Sequence, residues 1–175
     1  KMNQVKNVME ILSSLEGIEY GWMDIEKNTH INTDKGYKKN YVLSSPEEVI
    51  KNSLGTCFDL VELERSYFKS IGAKFNTYFM IYYESKKMFT HTFIVYEENE
   101  KFYWFEYAWT NNKGIHEYLS LYDLLTDVRE KFKKNNNLKF MDLDYLCVYK
   151  YKKPKYHIGL KDLYKHCESG ENVII

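Results

Sequence analysis

The sequence predicts an α+β fold, in which a central helix packs on an antiparallel β-sheet. Apolar residues recur at helical spacing up to Gly72, and aromatic and β-branched residues then dominate from Lys74 to Trp109. Segregated helices and strands are typical of the α+β class. Because 44% of the 175 residues are apolar, the chain has material for one core. We expect residues 1–175 to form a single domain.

Two helices are predicted in the first third of the chain, separated by a loop. The first has apolar residues at helical spacing before Gly17, namely Val5, Val8, Ile11, Leu12 and Leu15. The stretch from Asn28 to Asn40 is rich in Asn, Thr, Lys and Gly, which indicates a long exposed loop. The second helix starts after Ser45, because Pro46 suits its first position and Glu48 completes a capping box with Ser45.

A third helix, from Cys57 to Ile71, is predicted to be buried because it is apolar on more than one side. Leu60, Leu63, Tyr67 and Ile71 fall on one face, and Cys57, Val61, Glu64 and Phe68 fall on another. Gly72 ends this helix. It is the central helix of the predicted fold.

Strands are predicted after Gly72, where three aromatic runs are separated by short charged segments. The runs are Lys74–Tyr83, Phe89–Glu97 and Lys101–Trp109. This pattern favours a three-stranded antiparallel meander. The rest of the chain predicts a helix, a strand and a short helix, over Leu119–Lys134, Leu143–Tyr151 and Leu160–Cys167.

The charge balance argues against several classes of partner. The 25 basic and 25 acidic side chains cancel without a strongly basic segment, so we expect neither nucleic-acid nor membrane binding. The apolar runs are too short to span a bilayer, and no signal-peptide pattern opens the chain. Because the sequence starts Lys1-Met2, the loss of a targeting segment is left open.

The three cysteines, Cys57, Cys147 and Cys167, are widely spaced and form no CxxC pair. This predicts free thiols in a reducing compartment, and we expect a cytoplasmic protein. His166, Cys167 and Glu168 are adjacent, but sequence neighbours do not easily face one ion, so we expect no metal and no cofactor.

Cys57 is the first candidate for chemistry, because it follows Gly55-Thr56 at the predicted start of the buried helix. Unpaired N–H groups and the helix dipole favour negative charge there. These groups would stabilise a thiolate and supply donors for an oxyanion.

His91 and Glu106 are the candidates for the partners that a thiol nucleophile needs. They lie on neighbouring predicted strands whose turn centres near Asn99. Residue numbers that add to roughly 198 then lie opposite one another, which brings His91 and Glu106 together on one face. Because Glu106 is flanked by aromatic residues, a structural position for its carboxylate would be energetically costly.

Three segments of this sequence resemble the motifs of the transglutaminase-like superfamily, within the broader papain-like cysteine enzymes. They are Gly55-Thr56-Cys57-Phe58-Asp59, Thr90-His91-Thr92-Phe93-Ile94-Val95-Tyr96 and Tyr103-Trp104-Phe105-Glu106. The order Cys, His, acid and the gap of fifteen residues between His91 and Glu106 also match. The family usually has Asp at the third position, so Glu106 is a departure. The resemblance covers Ser45 to Trp109.

The resemblance implies that Cys57 is the nucleophile, that His91 is the general base and later the acid, and that Glu106 orients His91. It further implies acyl transfer through a thioester, on a peptide, protein or small amide substrate. Asp59 matches a position that we interpret as structural. The second oxyanion donor is not evident, and Asn52 and Trp22 are the candidates.

Other interpretations of these residues stay open. Cys57 and Cys147 fit buried apolar positions, His91 fits a core histidine, and Glu106 fits a partner of Arg65. The other histidines, His30, His116, His157 and His166, fit surface positions. A binding or scaffold module that keeps this fold without turnover is therefore the alternative function. Oligomeric state is not predicted, and specificity is expected from residues 28–40 and from the strand ends.

Overall fold

The computed structural model describes residues 2–31, 33 and 36–175. The helices are α1 (Val8–Ser14), α2 (Tyr37–Asn40), α3 (Pro46–Asn52), α4 (Cys57–Ser70), α5 (Leu121–Asn135) and α6 (Leu160–Glu168). The strands are β1 (Glu19–Tyr20), β2 (Trp22–Asp24), β3 (Thr29–His30), β4 (Tyr41–Val42), β5 (Leu54–Gly55), β6 (Lys74–Glu84), β7 (Lys87–Glu98), β8 (Lys101–Glu106), β9 (Gly114–Tyr118), β10 (Leu146–Tyr151) and β11 (Glu171–Val173). Short 3₁₀ segments span Thr110–Asn112 and Leu143–Tyr145.

The main sheet has six antiparallel strands in the order β11-β10-β6-β7-β8-β9. The β6–β7 hairpin is long, and its pairs run from Lys74–Glu97 to Glu84–Lys87. The β7–β8 pairing is shorter and stops at Ile94–Phe105. Within the described residues, the part of β7 before Ile94 therefore pairs with β6 alone, and its other edge is available to a different element.

The main sheet lies between two helices. Helix α4 packs on one face through apolar residues that meet Ile94 and Phe105, including Leu60, Val61, Leu63, Tyr67 and Phe68. Helix α5 packs on the other face against Phe93, Val95 and Trp104, through Leu124, Leu125, Val128 and Phe132. This is an α+β architecture, and the helix that begins at Cys57 packs against the antiparallel sheet as predicted.

Smaller pairings hold the segment before α4 in place. Strands β3, β2 and β4 form a three-stranded sheet, and β1 runs parallel to β5. In the β1–β5 pair, Tyr20 lies opposite Gly55. A Cβ at Gly55 would come within 2.9 Å of the Asp59 Cβ, so glycine allows this close approach. Tyr20 is thereby fixed beside the start of α4.

The capping signals of α3 are confirmed. The Ser45 hydroxyl accepts the Glu48 N–H at 3.3 Å, and Glu48 Oε1 accepts the Ser45 N–H at 2.8 Å. Pro46 is the first residue of the helix. The reciprocal bonds satisfy donors that a helix start otherwise leaves unpaired, which explains why this boundary could be predicted from sequence.

Several predicted bounds differ from the structure. The expected loop at 28–40 contains β3 and α2, while residues 32, 34 and 35 of that loop lie outside the described part of the chain. The strand predicted to reach Trp109 ends at Glu106, and the one predicted from Leu143 begins at Leu146 after a 3₁₀ turn. Strands β9 and β11 and the short pairings were not predicted. Among the described residues, no helix has the length and apolar character needed to cross a membrane.

Candidate active site

Cys57 is the first residue of α4 and is 7% exposed. The backbone N–H groups of Thr92 and Phe58 lie near its sulfur and favour the charged form. Burial is the main influence on the thiol and raises its pKa to about 12, with further increases from the nearby carboxylates of Glu106 and Asp59. At neutral pH the resting sulfur is therefore a neutral thiol.

The contact with Thr92 places Cys57 at the open edge of β7. Thr92 lies beyond the last β7–β8 pair, Ile94–Phe105, so its N–H does not face a β8 carbonyl. The start of α4 occupies the space that β8 leaves. Thr92 directly follows His91 in β7.

Asp59 fixes the start of α4 through four hydrogen bonds. Its carboxylate accepts the N–H of Thr56 at 2.8 Å, the Thr56 hydroxyl at 3.0 Å, and the Ser44 N–H and Tyr41 hydroxyl, both at 2.9 Å. Burial nonetheless raises its pKa to about 6. The donors from Tyr41 and Ser44 connect α4 to the chain around β4, and the two donors from Thr56 cap the helix.

His91 and Glu106 form a buried pair. His91 Nε2 lies 2.8 Å from Glu106 Oε1, and both side chains are 2% exposed. The observed register pairs Ile94 with Phe105, one residue from the expected register, so His91 and Glu106 meet as diagonal neighbours. A carboxylate only accepts hydrogen bonds, so Nε2 carries the hydrogen and Nδ1 is left as an acceptor.

Two further donors satisfy the Glu106 carboxylate. Trp104 Nε1 donates to Oε1 at 3.2 Å, and the Trp109 N–H donates to Oε2 at 2.9 Å. The second bond also turns the chain, because it draws Trp109 back toward Glu106 at the point where β8 ends. The aromatic surroundings therefore supply hydrogen bonds as well as apolar surface, and the carboxylate is held in one orientation.

Trp109 covers His91. Their ring centroids are 3.5 Å apart and the planes differ by 10°. The stacked indole keeps water from one side of the imidazole and restricts its rotation. His91 is thus fixed by Trp109 on its face and by Glu106 at Nε2.

A cleft of about 440 Å³ lies beside Thr90, the residue that precedes His91. Residues that line it include Tyr20, Tyr37, Lys38, Thr90, Lys161 and Tyr164. The charge of the Cys57 sulfur contributes to the raised pKa of the Tyr20, Tyr37 and Tyr164 hydroxyls, in each case after burial. These three tyrosines line the cleft and lie near Cys57, which is not itself among the lining residues.

Tyr20 is oriented with its hydroxyl toward the cleft floor. The residue is 48% exposed, yet burial is the main cause that raises the pKa of its hydroxyl, followed by Cys57 and Asp59. The flank of the ring therefore faces solvent while the hydroxyl is desolvated. This hydroxyl stays protonated at neutral pH and is a hydrogen-bond donor beside the sulfur.

The two candidate oxyanion donors are placed differently. Asn52 lies at the end of α3, where its side-chain amide contacts Met23 Sδ at 3.8 Å. Trp22 is buried in the same apolar cluster as Cys57, and its ring stacks on His30 at 4.1 Å. Neither residue is among those that line the cleft, whereas Tyr20 is.

Several alternative interpretations are resolved by contacts elsewhere. Arg65 pairs with Glu62 at 2.8 Å, so it is not the partner of Glu106. His166 contacts the Lys152 carbonyl at 2.6 Å, and Cys167 is fully buried. Among the described residues, no group of three His, Cys, Asp or Glu side chains has the geometry of a metal site.

One further buried carboxyl lies near the pair. Glu64, on α4, is 2% exposed and has no hydrogen bond or ion pair to a described residue. Burial raises its pKa well above the ordinary value, and the charges of Glu106 and Glu62 raise it further. The fold therefore favours the protonated form of Glu64.

No protein-family model matches this chain, and a search of the curated proteins also finds no match. The interpretation of the site therefore depends on its geometry. Sequence reasoning missed Tyr20, Tyr37, Tyr164 and Trp109, because tyrosine and tryptophan are ordinary core and rim residues in an aromatic-rich chain. The available signal was glycine, because Gly21 follows Tyr20 and Gly55 lies opposite Tyr20 in the β1–β5 pair.

Proposed function

We propose that this protein is a thiol-dependent acyl-transfer enzyme, with Cys57 as nucleophile, His91 as base and Glu106 as the orienting carboxylate. The single observation that carries the proposal is the buried contact of 2.8 Å between His91 Nε2 and Glu106 Oε1. The next residue after His91 is Thr92, whose backbone N–H lies near the Cys57 sulfur. The resemblance to the transglutaminase-like superfamily is consistent with this assignment.

In the first step, the Cys57 sulfur attacks a substrate carbonyl while its proton passes to His91 Nδ1. A neutral thiol with a raised pKa requires this transfer during attack, since it does not ionise beforehand at neutral pH. The resulting imidazolium is stabilised by Glu106, whose orientation is already set by Trp104 and Trp109.

The tetrahedral intermediate carries a negative oxygen that needs donors. The Tyr20 hydroxyl and the backbone N–H groups in the first turn of α4 are suited to this role, because both lie beside the sulfur. Collapse of the intermediate breaks the bond to the leaving group, which takes the proton from His91 and leaves a thioester on Cys57.

Water or an amine then attacks the thioester, again with His91 as base. The sulfur leaves and recovers its proton, so the enzyme returns to its starting state. We favour hydrolysis of a peptide or a small amide over protein cross-linking, because the cleft of about 440 Å³ suits one ligand of modest size.

An acylation experiment tests this proposal. The wild-type protein, Cys57→Ala and His91→Ala would be incubated with p-nitrophenyl acetate and with a library of fluorogenic amides. We expect p-nitrophenol release, and a transient acetyl group on the Cys57 peptide by mass spectrometry, only where Cys57 and His91 are both present. If acetylation of Cys57 is equally fast in His91→Ala, the proposed pair does not exist.

The alternative is a binding or scaffold module with the same fold. Two observations favour it, namely the low exposure of Cys57 and the raised pKa of its thiol, since an inert buried cysteine has both properties. The alternative predicts that Cys57→Ala leaves ligand binding in the cleft intact and that no thioester forms with any of the substrates.

A further inference from the structure

The residues that line the cleft differ in charge from the residues near Cys57. Lys38 and Lys161 are the charged side chains among the described residues that line it. Neither forms an ion pair with a described carboxylate, although ion pairs hold other lysines of this chain, such as Lys101 and Lys150. The cleft therefore presents two cations whose charge is not neutralised by a described neighbour.

The two lysines come from elements that contact each other. Lys38 is on α2 and Lys161 is in the first turn of α6, and these helices pack together. Both ammonium groups thus belong to the same wall. Their stems and the apolar side chains of Met88, Phe89 and Leu160 leave the remaining surface of the cleft suited to hydrocarbon.

The charges near the thiol have the opposite sign. Glu106 and Asp59 are the carboxylates whose charge raises the pKa of the Cys57 thiol. An anionic group on a ligand would be repelled close to the sulfur and attracted at the lysine wall. This gradient favours a ligand with a neutral reactive end and an anion at its far end.

We propose that the substrate of this site is an acyl compound that carries a carboxylate, separated from the reactive carbonyl by an apolar spacer. Lys38 and Lys161 bind the carboxylate, the aromatic walls contact the spacer, and the carbonyl reaches Cys57. This substrate class rests on the proposed function, but the charge preference of the cleft is measurable without turnover.

The test uses two alkylating reagents that differ only at the far end, N-hexyliodoacetamide and 6-(iodoacetamido)hexanoate. Their rates with Cys57 would be measured by peptide mass spectrometry at pH 8 in low salt, and divided by their rates with N-acetylcysteinamide. We expect the carboxylate reagent to be favoured about fivefold at Cys57, the size of effect that two exposed charge pairs produce. About 0.5 M salt should remove this preference.

Two double variants make the result specific. Lys38→Gln/Lys161→Gln should abolish the preference, while Lys133→Gln/Lys134→Gln removes the same net charge from α5 and should keep it. The proposal is overturned if wild type shows no preference, if the cleft variant retains it, or if Cys57 reacts with neither reagent in the native protein while it reacts in urea.

A matched pair of esters then separates the two proposals. The kcat/KM for mono-p-nitrophenyl adipate should exceed that for p-nitrophenyl hexanoate in a Cys57-dependent manner. If neither ester is turned over while the alkylation preference is present, the proposed function fails and the anion-binding cleft stands. If the hexanoate ester is the better substrate, the acyl-transfer function stands and the carboxylate preference fails.

Discussion

Cys57 and Cys167 are both buried and both belong to the same apolar cluster. Burial is the largest cause that raises the thiol pKa at each position. Their surroundings differ, because Cys57 begins α4 and lies near the backbone N–H groups of Phe58 and Thr92, whereas Cys167 lies near the end of α6. The pKa thus does not distinguish these thiols. They differ in the backbone donors near the sulfur and in their position relative to the cleft.

The same contrast separates two buried glutamates. Glu106 receives three hydrogen bonds from His91, Trp104 and Trp109. Glu64 has none from the described residues, and its pKa is raised well above the ordinary value. Burial therefore favours the neutral form of an acid or a thiol, and a buried group becomes useful for chemistry when the fold also supplies it with partners.

The largest expected effect comes from replacing each of the two cysteines, Cys57 and Cys167, by alanine in separate variants. Cys57→Ala should lower kcat by on the order of 10⁴-fold, because the nucleophile is lost. Cys167→Ala should change kcat less than about twofold. Hydrolysis of the best ester, with circular dichroism as the folding control, checks this. Comparable losses in both variants would remove the functional distinction between the thiols.

His91→Ala should lower kcat by about 10³-fold, because the thiol then has no acceptor for its proton. The same variant should slow iodoacetamide alkylation of Cys57 at pH 7 and leave that of Cys167 unchanged. Equal alkylation of Cys57 in both proteins would make this thiol as inert as Cys167.

Glu106→Gln should lower kcat by about tenfold to hundredfold, the cost of losing one charge-assisted hydrogen bond. The amide replaces one carboxylate oxygen by an NH₂ group. When the amide oxygen keeps the bond from the Trp109 N–H, the NH₂ faces His91 and Trp104, and Nδ1 of His91 carries the hydrogen. Nδ1 then no longer accepts a proton from the thiol. Steady-state kinetics should show the loss in kcat with KM nearly unchanged, and a loss confined to KM would contradict an orienting role.

Glu64→Gln should have the smallest effect, on stability alone. Between the ordinary pKa of the unfolded carboxyl and the raised pKa in the fold, the folded state holds one more proton, so stability falls as pH rises. The variant should lose this dependence, which amounts to about 1.4 kcal/mol per pH unit. Urea unfolding at pH 5, 6 and 7, with the exposed Glu16→Gln as control, measures it. Parallel pH profiles for wild type and Glu64→Gln would show that Glu64 is paired or solvated.

Local signals explain what could be predicted from the sequence. The capping residues Ser45 and Glu48 mark the start of α3, and Gly72 follows the end of α4. The aromatic runs with short charged separators mark β6, β7 and β8. The proximity of His91 and Glu106 is predictable because both lie in one hairpin, where few residues separate them. An error of one residue in the register still leaves them diagonal neighbours.

Long-range contacts explain what could not be predicted from the sequence. Tyr20 reaches the site through a two-residue parallel pairing with Leu54 and Gly55, which is too short to produce a periodic pattern. Tyr164 arrives from α6 at the far end of the chain and meets Thr90 at 3.4 Å. β8 ends at Glu106 because the Trp109 N–H bonds the Glu106 carboxylate, and no strand propensity encodes that bond.

Each of the three tryptophans stacks on a histidine, Trp22 on His30, Trp104 on His116 and Trp109 on His91. A protonated imidazole quenches the fluorescence of an indole in contact with it. The protein therefore contains three intrinsic fluorescent reporters of histidine protonation, and one of them, Trp109, stacks on the proposed base His91. In a Trp22→Phe variant, which keeps the bond from Trp104 to Glu106, a change in emission after mixing with substrate should report proton transfer to His91 through Trp109.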